Sequence, residues 1–160
     1  MALNNFCKPL RAALPVLLCL LCSAQDNGHL KVGQPTKAAG KRNATVQVRI
    51  PVMVDPGFHV NSNAPAEEYL IPLKLVWNPG GGLVGGDVTY PKPSMEKYTF
   101  DEKPLSVFTG KFDLVATFQV APDAPAGPGA KVGKLRYQAC DNKACYPPKT
   151  IEVSVPYQVQ

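Results

Sequence analysis

Cys140 and Cys145 are the residues of this 160-residue chain best suited to chemistry. Asp141-Asn142-Lys143-Ala144 separates them, and Tyr146-Pro147-Pro148 follows. The sequence holds 5 cysteines, but Cys7, Cys19 and Cys22 fall in an amino-terminal leader and are expected to depart with it. The remaining pair faces three uses. As a structural disulfide it closes a loop of only six residues, which stabilises by about 2 kcal/mol in the chain-entropy model, against roughly 4.7 for a hundred-residue loop. Such a bond is a weak staple between neighbours, although exported proteins do carry small disulfide loops. As metal ligands the pair is short of partners, because a closed zinc site needs four. Only His29 and His59 remain, and neither has ligand spacing to anything nearby. His59 reads as a surface or hydrogen-bonded histidine in a short strand, so no metal and no organic cofactor is called for. As a redox couple the pair needs an accessible thiolate, a resolving thiol within reach, and control of access. Cys140 and Cys145 supply the first two. Lys143 favours a thiolate and Asp141 opposes it. The spacing is not Cys-x-x-Cys, and the chain lacks the alternating βαβ pattern of a thioredoxin.

The leader sets the compartment. Lys8 and Arg11 form a positive start, Ala12 to Leu21 is apolar, and Cys22-Ser23-Ala24 supplies small residues for cleavage after Ala24. Residues 1–24 therefore read as a secretory signal peptide. The apolar stretch is about half of the ~20 residues that span a bilayer. The formal net charge is +5, and the leader accounts for two of those positive charges. The other basic residues are scattered and few aromatics interleave with them, which argues against a nucleic-acid surface.

The elements that must position the cysteines are strands. Residues 25–41 are polar and glycine-containing and read as a flexible arm with room for a short edge strand, with the domain proper at 42–160. From Thr45, Val46, Val48, Ile50, Val52 and Val54 alternate with Gln47 and Arg49. Pro51 lacks a ladder donor, so this strand is expected at an edge or with a bulge. Further alternation covers Phe58–Val60, Tyr69–Trp77, Leu83–Tyr90 with Gly85-Gly86 inside it, Leu105–Thr109, Phe112–Val120, Lys134–Ala139 and Ile151–Val155. Residues 91–104 form a long loop without core periodicity, and loops of that length are often functional. Short alternating strands with Gly/Pro punctuation and no amphipathic helix predict an all-β sandwich. Continuing the alternation from Lys134 puts Cys140 with Lys134, Arg136 and Gln138 on the polar face, which suits an accessible thiol.

Tyr137-Gln138-Ala139-Cys140 with Cys145-Tyr146-Pro147-Pro148 resembles the active-site segment of the periplasmic amino-terminal domain family of the thiol:disulfide interchange protein DsbD. Gly57-Phe58-His59-Val60-Asn61-Ser62-Asn63, Glu68-Tyr69-Leu70-Ile71-Pro72 and Tyr90-Pro91 support the likeness, which runs from about residue 42 to 156. The resemblance implies an immunoglobulin-like sandwich whose cysteines pass reducing equivalents in the periplasm. It implies a membrane-embedded thiol-electron donor and thioredoxin-like partners, of the disulfide-isomerase or cytochrome c maturation type. It implies that Cys145 forms the intermolecular bond and Cys140 resolves it. It also implies a cap loop at 95–102, with Tyr98 or Phe100 as an aromatic shield over the cysteines. The sequence ends at Gln160, after the sandwich, and is expected to be either a stand-alone member or a truncated product. The competing expectation is an exported immunoglobulin-like binding module with an inert disulfide.

Overall fold

Period-two alternation leaves each strand with one face to bury and two edges to pair. The computed structural model describes residues 28–160, where these demands are met by twelve strands and no helix. The expected signal peptide and its cleavage site lie outside the described residues. One sheet is ordered β1 (Leu30–Val32), β3 (Thr45–Val54), β9 (Lys111–Val120), β6 (Leu83–Thr89). A second is ordered β2 (Ala38–Gly40), β12 (Lys149–Val159), β10 (Gly127–Tyr137), β5 (Lys74–Trp77). Val48, Ile50, Leu114, Ala116 and Phe118 of the first share one core with Leu75, Leu135, Tyr137, Val153 and Val155 of the second. The ring of Trp77 meets Phe118 edge-on at 4.9 Å. This is the expected immunoglobulin-like β-sandwich. A third sheet, β11 (Ala139–Cys140), β4 (His59–Asn61), β8 (Leu105–Phe108), β7 (Ser94–Glu96), carries the first cysteine.

Three local differences from the sequence reading have physical causes. Within the expected arm there are two short edge strands where the sequence reading had room for one: Leu30–Val32 pairs antiparallel with β3 and Ala38–Gly40 pairs parallel with β12. Leu30 and Ala38 are buried, and these two side chains anchor an otherwise polar segment. β3 is not an edge strand, since β1 and β9 flank it. Pro51 is tolerated because its carbonyl accepts from Gly33 N on the β1 side, at 2.8 Å. In an antiparallel ladder a residue's N–H and C=O face the same neighbour, so the missing donor points where the registered β1 pairing has already ended. The Gly85-Gly86 interruption is a register shift between β6 and β9. Gly86 has φ +110°, and a Cβ there would lie 2.3 Å from Trp77 Cδ1, so the glycine admits the indole. Trp77 Nε1 then donates to Gly86 O at 3.0 Å.

The decisive irregularity is at Gln138. β10 ends at Tyr137, and the chain leaves β12 and β5 to pair with β4 instead. Ala139 lies opposite Val60, and Cys140 opposite His59. Ala139 and Val60 join the main core. Cys140 and His59 take the other face.

Candidate redox site

Cys140 and Cys145 form a disulfide with Cα atoms 3.9 Å apart. The loop between them is held by its own backbone and by Asp141. Asp141 N donates to Ala144 O at 3.0 Å, and Tyr146 N donates to Ala139 O at 2.8 Å. Asp141 Oδ1 accepts from the amides of Lys143 and Ala144 at 2.7 and 2.8 Å. Its Oδ2 accepts from the Tyr146 hydroxyl at 3.0 Å. This is an Asx-type turn, which explains an acidic residue directly after the first cysteine. The Lys143 amide, then that of Ala144, then the Tyr146 hydroxyl hold the Asp141 carboxyl below the usual carboxylate range.

Gln138 ties this loop to the rest of the molecule. Its Nε2 donates to Tyr146 O at 3.2 Å. Its Oε1 accepts from Asn61 Nδ2 and from Ile71 N, both at 3.4 Å. Asn61 Nδ2 also donates to Ile71 O at 3.1 Å. One amide side chain therefore joins the cysteine loop to β4 and to the segment before β5. The sequence offered no signal for this role beyond the presence of Gln138 in the resemblance motif.

The two cysteines differ in exposure. Cys140 is 0% exposed, whereas Cys145 is partly exposed. The expectation that Cys140 is an accessible thiol on a polar face is therefore corrected. The alternation itself persists through Ala139 and Cys140, but the outer face is roofed at this point rather than open to solvent. The roof comes from the 91–104 loop. Tyr98 stacks on His59 with ring centroids 3.9 Å apart, and Thr99 Oγ1 donates to Asn142 O at 2.7 Å. Phe100 is farther from His59, at 6.3 Å, and is 37% exposed against 9% for Tyr98. The Tyr98 hydroxyl donates to Glu96 Oε2 at 2.6 Å. Burial, and then that hydrogen bond, push its pKa up. The same loop is tied to residues 67–69: Tyr69 Oη donates to Asp101 Oδ2 at 2.6 Å, and Lys103 Nζ lies 2.9 Å from Glu67 Oε1.

On the other flank of the loop, His29 stacks on Phe58 at 3.6 Å, and both rings lie within 6 Å of Tyr146 (5.4 and 5.9 Å). The segment before β1 thus furnishes one wall beside Cys145. His59 is not a surface histidine. It is 1% exposed, and its Nε2 has no hydrogen-bond partner among the described residues. Burial lowers its pKa, with Glu96 and then Asp141 opposing the shift.

These features define an immunoglobulin-like sandwich domain with a short-loop disulfide beside an aromatic loop, unrelated in fold to thioredoxin. The family described as thiol:disulfide interchange protein DsbD, N-terminal, matches residues 29–156, and the chain belongs to it. The N-terminal periplasmic domain of ScsB from Proteus mirabilis is similar in fold, with a TM-score of 0.60 at 17% identity, covering 82% of this chain and 47% of that one. The chain thus spans about half the length of that structure. The Neisseria meningitidis DsbD n-terminal domain in the reduced form is 21% identical with a TM-score of 0.45, covering 74% of this chain and 86% of that one. No curated protein matches the sequence.

The buried histidine gives a pH prediction. Its folded pKa lies below the unfolded value of 6.5, so the unfolded chain binds the extra proton first as pH falls. The stability contributed by neutral His59 is present above about pH 6.5 and is lost progressively below it. The melting temperature of the wild type should therefore fall, relative to that of His59→Phe, as pH is lowered from about 7 to about 5. Parallel pH profiles for the two proteins would contradict this account.

Proposed function

We propose that this domain performs thiol–disulfide exchange in the periplasm. It accepts reducing equivalents from a membrane-embedded thiol donor and passes them through Cys140 and Cys145 to thioredoxin-like partners of the disulfide-isomerase or cytochrome c maturation type. The observation that carries the reading is the disulfide itself, closed within a self-supporting loop and covered by a separate, latched segment. Family membership supports the same chemistry.

The unequal exposure of the cysteines supports an order of events. A partner disulfide can approach Cys145 more readily than Cys140. In the reduced domain the Cys145 thiolate attacks a partner sulfur, forming a Cys145–partner bond and releasing the partner's second sulfur as a thiolate. Cys140 then attacks Cys145, restoring the internal disulfide and releasing the partner as a dithiol. Removing the resolving thiol should trap the intermediate. A Cys140→Ala variant is expected to accumulate a covalent complex with a thioredoxin-like substrate through Cys145, visible on non-reducing gels. Accumulation with Cys145→Ala alone would reverse the order.

Tyr98 is the better candidate for the shield, given its burial and its stacking on His59. Tyr98→Ala should speed alkylation of the reduced protein several-fold, while Phe100→Ala should change it little. Equal rates for wild type and Tyr98→Ala would remove the gate.

The full burial of Cys140 favours a second reading, a binding module with an inert disulfide. The reduction potential separates the two. An exchange-competent couple should lie above about −300 mV, and a purely structural bond below it.

A further inference from the structure

We propose that His59 is the proton acceptor for Cys140 in the resolving step; this rests on the exchange reading above. His59 and Cys140 are directly opposite each other in the β4–β11 ladder. Opposed residues of an antiparallel pair project to the same face with Cβ atoms about 5 Å apart. The ring of Tyr98 covers the imidazole, so the pair sits in a site screened from bulk water. In the disulfide state the sulfurs offer no proton, and the buried Nε2 of His59 is left without a hydrogen-bond partner among the described residues. An orphaned buried nitrogen costs about 1–3 kcal/mol, so its persistence calls for an explanation. Opening the disulfide supplies one, because the Cys140 thiol is then a donor on the same face.

The step balances as follows. With Cys145 held in a mixed disulfide, the Cys140 Sγ–H bond breaks and its proton passes to the imidazole. The Cys140 thiolate attacks Cys145 Sγ, and the Cys140–Cys145 bond forms as the Cys145–partner bond breaks. The electron pair leaves on the partner sulfur, which takes the proton back from the imidazolium. The domain's two cysteines are oxidised, the partner's disulfide is reduced, and His59 returns to its neutral form. The groups facing the imidazole are Glu96 from β7, Tyr98 from the 91–104 loop and Asp141 from the cysteine loop, with Asp55 lining the same cavity. Burial outweighs the two carboxylates and keeps the ring neutral at neutral pH, the state that can accept a proton.

The test uses the reduced protein and a small aromatic disulfide whose reduction releases a coloured thiolate. Cys145 releases the first thiolate by forming a mixed disulfide, and Cys140 releases the second by resolving it. An unassisted thiol of pKa about 8.5 is only ~3% ionised at pH 7, so an acceptor can supply at most about thirty-fold, and losing it should slow the second release measurably within that ceiling. His59→Phe keeps an aromatic ring under Tyr98, and His59→Gln keeps a polar group that cannot take up the proton. Both are expected to slow the second release and to make it rise with pH through the ordinary thiol range. The wild type should instead level off above an inflection lower than about pH 6.5. Should neither variant fold, the wild-type profile decides alone, and a rise through the thiol range with no lower inflection overturns the proposal. A second release that survives both substitutions with unchanged rate and profile also overturns it, leaving the exchange reading intact. A wild-type protein that releases no second thiolate refutes the exchange reading and this proposal together.

Discussion

The cysteine end of the molecule depends on the chain leaving β10 at Gln138. A strand that continued straight would keep Cys140 paired with the second sheet, outside and wet. By breaking there, the chain must satisfy backbone groups that have lost their ladder, and a buried unpaired amide or carbonyl is costly. The Gln138 side chain meets that demand by bonding Tyr146 O, Ile71 N and Asn61 at once. β11 is then free to pair with β4, which brings Cys140 opposite His59, the residue on which Tyr98 stacks. The sandwich supplies the rigid frame, but this single switch between sheets decides what the first cysteine touches.

The main strands were legible because burial on one face imposes period two. Val48, Ile50, Val52 and Val54 on β3, and Leu114, Ala116, Phe118 and Val120 on β9, point inward as the pattern requires. The cysteine pair was legible from its spacing and its flanking residues. Burial of Cys140 was not, because alternation tells which face a side chain takes and not what covers that face. The cover comes from a loop some forty residues earlier, held by side-chain contacts such as Thr99 to Asn142 that leave no periodic trace. His59 was misread for the same reason, since a polar residue in a three-residue strand carries no sign of a distant roof. The segment before Thr45 looked mobile because Leu30 and Ala38 are the only fully buried apolar side chains among its described residues, too few to make a pattern. Choosing between Tyr98 and Phe100 likewise needed the fold, because both lie in the same aperiodic stretch.

The cysteine loop is flanked by two groups of side chains held by different contacts. The 91–104 loop is fastened to residues 67–69 and to Asn142, while the opposite wall is an aromatic group from His29, Phe58 and Tyr146. A change in either flank can alter access to Cys145 without disturbing the core that positions it. Exposed tyrosines at 69 and 146 border this end and offer a partner both apolar area and hydroxyl groups.

The small loop also bears on what happens when the sulfur–sulfur bond is open. The bonds from Asp141 N to Ala144 O and from Tyr146 N to Ala139 O, together with the Asp141 carboxylate, hold the loop without help from sulfur. Each thiol therefore experiences the other at an effective concentration set by the backbone. A foreign sulfur attached to Cys145 would compete with a neighbour that is already in place, which would make such a covalent encounter brief.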